Sequence, residues 1–384
     1  MDLRDNIWIA IAFIVFYSGI GQSTGFSEEL QYLDQKGLDP ISYVVNKTKE
    51  YDMVILGEDH AIKNNLDFVT QLIPQLYEAG VYTLGMEFGA YEKQATLDSL
   101  VTGKTYDEQV ARDMMYFYNV GWAYREYMDI YKTVWKFNTN LSPDQRKFRI
   151  LNISYQYDWS EFEGTPTPEN MSNVFYKGTP NKFRTEVITK EIVSKEDKIV
   201  LLVGTPHAYT KYKQASLAAN QDDFCHYDDG SLGNRLYQQY PSKVFSIFLH
   251  GPFYNKPNKA PFLLSPANGN IEALIEKRDN IPVGFDLQDT PLGKLRDDSN
   301  YATCYPDFTL DKLFDGYIFL VPFKNMEPCT IDQDFFKNKD WINTKLQLPD
   351  PHWHGEVDNL DEYWKQIKGY ADVKSRYRVL LNKQ

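Results

Sequence analysis

Two short segments of the chain set a histidine at the same distance from a glycine. In VILGEDH, Gly57, Glu58, Asp59 and His60 follow an apolar run ending at Leu56; in LLVGTPHAY, Gly204 to His207 follow a run ending at Val203. A third segment, TLGMEFGAY, puts Glu87 at the end of another apolar run. A neutral imidazole binds a first-row metal or takes a proton, and a nearby carboxylate ligates the same metal or holds the ring in one tautomer. His60, His207, Glu58 and Glu87 are therefore candidate ligands of a divalent metal ion. Equally, His60, His207 and Glu87 are candidates for general-base chemistry on a carbonyl, with Arg184 as the cation for a developing oxyanion. Arg125 and Arg235 are further cations of that kind. Tyr209 and Tyr212, just beyond His207, are phenols able to donate a hydrogen bond or bind iron. Gly57 and Gly204 read as points where the backbone turns sharply, so that the next side chains face a cleft. His250 closes another apolar run, whereas His226, His352 and His354 lie in polar surroundings and read as ordinary loop residues.

These side chains can cooperate only if the chain brings them to one place. Residues 51 to 250 alternate short apolar runs with helical patterns, which predicts a parallel sheet flanked by helices. The expected strands are Met53–Leu56, Val81–Met86, Phe148–Ile153, Lys198–Val203 and Val244–Leu249, with Val283–Phe285 and Tyr317–Val321 further on. Their continuous apolar character suits strands buried on both faces. Helical patterns run over Asn64–Ala79, Ala90–Val101, Tyr106–Tyr118, Tyr124–Asn138, Ile271–Lys277 and Leu360–Ile367, while residues 155 to 180 read as a long loop. The fold class is α/β, a three-layer α/β/α arrangement with a mostly parallel central sheet over residues 45–325, followed by a tail over 326–384. In such sheets ligands bind beyond the carboxyl ends of the strands, where both Gly-x-x-His units fall.

Composition narrows the partners. The 384 residues include 41 Lys plus Arg against 53 Asp plus Glu, so there is no basic surplus to displace phosphate counterions, which argues against nucleic acid as a partner. Hydrophobic residues at 42% suffice for a large core. The run from Ile7, IWIAIAFIVFYSGIG, is short for a membrane span, and Gly19 and Gly21 offer a cleavage site. Residues 1–21 are predicted to be an export signal, giving a periplasmic or extracellular chain with no stable membrane span after cleavage. Cys225, Cys304 and Cys329 leave at least one unpaired thiol. A Cys304–Cys329 disulfide and three separate thiols both remain open. The chain has no Gly-x-Ser-x-Gly elbow, phosphate loop or His-Glu-x-x-His helix, which disfavours a serine hydrolase.

VILGEDH, LGMEFGAYEKQATLDSL and LLVGTPHA, in that order, resemble the superfamily that joins ChaN-type haem-uptake proteins, Tiki/TraB-type metalloproteases and erythromycin esterases. The paired Gly-x-x-His units with Glu87 are similar to the Tiki-like branch, and RILNIS is similar to ChaN-like sequences. SLGNRLYQQYPSKVFSIFL and FDGYIFLVP look like the closing strands of erythromycin esterase-like proteins, although GEDH has one residue fewer between Glu and His than those enzymes have. The resemblance covers residues 45–325. Along the Tiki-like branch it implies that His60, His207 and a glutamate bind a divalent metal and cut peptide bonds. Along the ChaN branch it implies haem, with Tyr and His as iron ligands. The expectation is an exported hydrolase of ester or amide bonds acting on a small molecule or peptide. The alternative is a haem- or iron-chelate-binding protein without hydrolytic activity.

Overall fold

The apolar runs form the middle of one seven-stranded sheet. Eleven strands occur among the described residues: β1 (Met53–Glu58), β2 (Thr83–Ala90), β3 (Arg149–Ser154), β4 (Ile199–Gly204), β5 (Gln214–Leu217), β6 (Cys225–Asp228), β7 (Val244–Leu249), β8 (Phe253–Tyr254), β9 (Leu263–Leu264), β10 (Val283–Asp286) and β11 (Gly316–Phe319). In this computed structural model the described residues are 26–118, 121–160, 162, 165–348 and 357–381. The expected export signal, and His352 and His354, lie outside them.

The sheet order is β10-β11-β7-β1-β4-β2-β3, all parallel except the edge strand β10, which runs antiparallel to β11. β5–β6 and β8–β9 are separate hairpins. Along β1, Val54 and Leu56 join one core cluster while Met53 and Ile55 join the other. Both faces of the sheet are thus covered, which is why its strands read as unbroken apolar runs. The architecture is the expected three-layer α/β/α fold. Helix Lys63–Glu78 buries the predicted stripe of Leu66, Val69, Leu72, Ile73 and Leu76.

Register decides where the chemistry meets. β1 pairs with β4 so that Gly57 lies opposite Val203 and Glu58 opposite Gly204. The two Gly-x-x-His segments therefore leave the sheet side by side, with β2 on the far side of β4.

Several local features differ from expectation. Within residues 155–180, Thr167 caps a helix, Pro168–Val174, by a reciprocal bond with Asn170. Segments outside 45–325 share the same cores: Tyr43 and Val44 on one side of the chain, Tyr363, Ile367 and Ala371 on the other. Leu38 bridges Gly284 and covers the β10 edge. The disulfide joins Cys225 to Cys304, and Cys329 is a buried free thiol, so the Cys304–Cys329 pairing does not form. Tyr227 of the β5–β6 hairpin packs on Tyr305, which carries Cys304 to the hairpin. Cys329 is held elsewhere, its N–H bonded to the Ala61 carbonyl. Among the described residues no helix is long and apolar enough to cross a membrane.

Candidate functional site

Glu58 is the last residue of β1 and is buried. Its Oε1 accepts the Tyr127 hydroxyl at 2.8 Å and faces His60 Nδ1 at 3.1 Å. Because that oxygen accepts, Nδ1 carries the hydrogen, and the neutral ring keeps its lone pair on Nε2. Phe88 and Trp122 grip the His60 ring edge-on, with centroids 5.3 and 5.1 Å away. The next residue, Ala61, adopts a left-handed backbone with φ 62°, which costs a non-glycine residue roughly 1–2 kcal/mol. Two bonds hold it there: Ala61 N–H donates to the Tyr127 hydroxyl at 3.2 Å, and Cys329 N–H donates to the Ala61 carbonyl at 3.1 Å. From the C-terminal end, Arg376 donates to Asp59 Oδ2 at 2.6 Å and to the His60 carbonyl at 3.0 Å, and the Tyr377 hydroxyl also bonds Asp59.

Glu87 lies where β2 loses regular pairing with β3, between Met86 and Ala90, an irregularity of the kind that re-aims side chains. Its Oε1 accepts the Gly204 N–H at 2.5 Å and lies 3.9 Å from His60 Nε2. Its Oε2 is 3.3 Å from His207 Nε2 and 3.1 Å from Arg184 Nη1. Arg184, on helix Pro180–Glu191, is fixed in turn by donating from Nε to Ser154 Oγ at 3.0 Å. One carboxylate thus touches both imidazole-bearing turns.

The glycines act through space rather than through turning. Gly57 lies inside β1, and Gly204 has φ −60° and ψ 145°, a conformation open to any residue. A Cβ on Gly204 would sit 2.7 Å from His60 Nε2, and one on Gly57 would sit 2.8 Å from the Ala208 Cβ.

The electrostatics divide the two histidines. Burial works against a charged His60, but the hydrogen bond and charge of Glu58, with Glu87 and Asp59, outweigh it and raise its pKa above 6.5. Burial of His207 prevails over the attraction of Glu87 and, with Arg184 and His60 nearby, lowers its pKa to about 4. Burial raises the pKa of Glu58, with the His60 and Tyr127 contacts opposing it. Burial of Glu87 is more than offset by His207, Arg184, His60 and the Gly204 N–H, so that carboxylate is held below its usual range. At neutral pH the cluster contains an ionised Glu87 and a neutral His207.

This donor set does not fit the divalent metal expected of His60, His207, Glu58 and Glu87. A metal site needs several donors converging on one open position. Here the Arg184 guanidinium fixes a positive charge against Glu87, and the Glu87 oxygens already face Gly204, His207 and Arg184. Glu58 Oε1 serves Tyr127 and His60. Among the described residues no group of three or more His, Cys, Asp or Glu side chains is arranged to hold a metal.

The structure brings together His60, His207, Glu58, Glu87 and Arg184. Arg184 faces Glu87 rather than the open cleft, so its charge steadies the carboxylate instead of awaiting an oxyanion. Tyr209 and Tyr212 are turned away into the second core: the Tyr212 hydroxyl donates to the Tyr301 carbonyl, and Tyr209 packs on Phe314. Arg125 is exposed, and Arg235 bonds the Gly230 carbonyl. His250 belongs to a different cluster, 2.6 Å from the Tyr317 hydroxyl and 3.1 Å from Glu272. Tyr127, Asp59 and Arg376 complete the site without having been expected there. Asp59 stands within the GEDH motif, but no signal points from it to a partner 317 residues away.

Fold and cluster define a three-layer α/β protein whose polar groups gather at the carboxyl ends of neighbouring parallel strands. Residues 44–141 match the family model described as haem-binding uptake, Tiki superfamily, ChaN, and the chain resembles that superfamily as its motifs implied. The matched stretch contains Glu58, His60 and Glu87 and ends before Arg184 and His207. A succinoglycan biosynthesis protein has a similar fold, at 11% identity over 80% of this chain and 100% of its own, with a TM-score of 0.52. ChaN of Campylobacter jejuni, solved with cofacially bound haem, aligns at 15% identity over 54% of this chain and 85% of its own, with a TM-score of 0.35. A mutant of the erythromycin esterase EreC in its open conformation aligns at 11% identity over 72% and 92%, with a TM-score of 0.46. No curated protein matches the chain by sequence.

Proposed function

We propose that this chain hydrolyses an ester or amide bond in a small-molecule or peptide substrate, with His60 as general base and without a metal ion. The observation that carries the reading is the position of Glu87, which lies 3.9 Å from His60 Nε2 while the opposite ring nitrogen of His60 is held by Glu58. That separation is too long for a direct hydrogen bond, but one water bonded to both groups at roughly 2.8 Å each spans it. His60 Nε2 takes a proton from that water, and the resulting hydroxide adds to the carbonyl carbon. The tetrahedral intermediate then expels the alcohol or amine, which receives the proton from His60. Glu58 holds the tautomer and steadies the imidazolium formed in the first step. The Arg184 charge keeps Glu87 ionised, and the neutral His207 ring beside the same oxygen helps to hold it in place.

The reading is of an exported protein, and a disulfide supports it. The Cys225–Cys304 disulfide is of the kind that persists in the periplasm or outside the cell. The second reading is haem or iron-chelate binding, favoured by the description of the matching family model. In it, His207, with a ring 31% exposed, would be the iron ligand, since Tyr209 and Tyr212 are buried.

The test is purified chain against a panel of aryl and alkyl esters and amides, alongside a haemin titration. Hydrolysis that His60→Ala reduces at least about 100-fold supports the first reading. A stoichiometric Soret band with no turnover on any member of the panel would replace it with the second.

A further inference from the structure

Trp122 has two neighbours of consequence. Its ring meets His60 edge-on at 5.1 Å, and it also lines a cavity of about 300 Å³ together with Tyr124, Tyr254, Tyr363, Gln366 and Tyr370. The cavity is walled mainly by aromatic rings and shares one of those walls with the proposed base. Its size sets a bound on the occupant. A dry cavity of roughly 150 Å³ holds a benzene, so this pocket, open to solvent beside Tyr254 and Gln366, seats one or two fused rings and covers only part of a porphyrin.

The chemistry of the walls narrows the class. A sugar would need several free donors and acceptors, but the Tyr124 hydroxyl is already given to the Ile367 carbonyl at 3.1 Å, and the Trp122 indole N–H, buried and without a partner among the described residues, is a single donor, enough for one substituent on a ring. An organic cation would favour an aromatic cage, yet the Arg376 guanidinium, paired with Asp59, already covers the Tyr370 ring at 4.4 Å from its centre. A neutral aromatic group needs neither free polar partners nor a vacant cation site, and ring pairs add roughly 0.5–1.5 kcal/mol beyond area burial.

We propose that this pocket is the subsite for a neutral aromatic group of one or two fused rings on the substrate, which makes the chain selective for aromatic esters or amides. The assignment rests on the hydrolytic reading of His60 for its meaning, but not for its test.

The probe is 2-naphthol, measured by equilibrium dialysis against full-length protein, with decahydro-2-naphthol and tetraethylammonium as competitors of the other classes. Two variants address the pocket at solvent-accessible positions. Tyr254→Ala removes a wall from a residue that is 49% exposed, and Gln366→Trp fills the space from an exposed helix position. Saturable naphthol binding, weakened about tenfold in each variant, is the expected result. Absence of saturable binding, indifference to either variant, or equal affinity for the saturated alcohol or the cation would overturn it. The two readings fail separately. Naphthol binding with no ester turnover removes the hydrolase and leaves the pocket. Turnover of aliphatic and naphthyl esters at equal rates, without naphthol binding, removes the pocket and leaves the hydrolase.

Discussion

Arg184 Nη1 and Glu87 Oε2 meet at 3.1 Å with only 6% of either side chain exposed. Removing one member of such a pair strands a buried charge, at a cost of about 3–5 kcal/mol. Arg184→Met is therefore expected to lower the free energy of unfolding by about that amount in urea titrations, and Arg184→Met combined with Glu87→Gln should recover part of the loss. A neutral single change would mean that the pair does not anchor the site.

Gly204 supplies a second, sharper test, because its backbone conformation suits alanine while its surroundings do not. The added Cβ would lie 2.7 Å from His60 Nε2. Displacing the base by a fraction of an ångström to about 1 Å is expected to lower kcat/KM about 100-fold. The melting temperature should fall by only a few degrees. Full activity in Gly204→Ala would mean that His60 Nε2 does not work at this position.

The pH profile follows from His60. A base must be neutral to accept a proton, and its neighbours raise the His60 pKa above 6.5. kcat/KM should rise with pH and level off above an apparent pKa higher than 6.5. Glu58→Gln removes the carboxylate that raises it, so the ascending limb should move to lower pH even as the plateau falls.

Stability should respond to His207 in the opposite sense. Its pKa falls from 6.5 to about 4 on folding, so between those values the unfolded chain binds a proton that the folded chain refuses. The stabilisation from a neutral His207 is complete above pH 6.5 and is lost as pH falls toward 4. Urea titrations across that window should show a steeper acid loss in the parent than in His207→Gln. His60 contributes the reverse: stability present below 6.5 and lost as pH rises through its raised pKa.

Much of this was legible in the sequence, for identifiable reasons. Strands such as VFSIFL are buried on both faces, so their apolar runs announce them. Both Gly-x-x-His units sit at the ends of adjacent parallel strands, so topology alone brings His60 near His207. What escaped was whatever depended on side-chain direction or on distant chain segments. Tyr209 and Tyr212 read as available beside His207 yet pack inward against Tyr301 and Phe314. Arg184 read as a cation for a substrate but is held by Ser154 and Glu87. The Arg376 grip on the His60 turn crosses 316 residues, and no local pattern encodes it. The irregularity in β2 that aims Glu87 inward is equally invisible to period-two reading.

Metal-free base catalysis by His60 is decided by aryl ester hydrolysis before and after exhaustive chelation, with the parent and His60→Ala side by side. The chelated parent should keep its rate within about twofold, and His60→Ala should fall at least about 100-fold in both conditions. A parent that loses activity on chelation and regains it with added zinc would contradict the role given to His60, as would a His60→Ala variant as active as the parent.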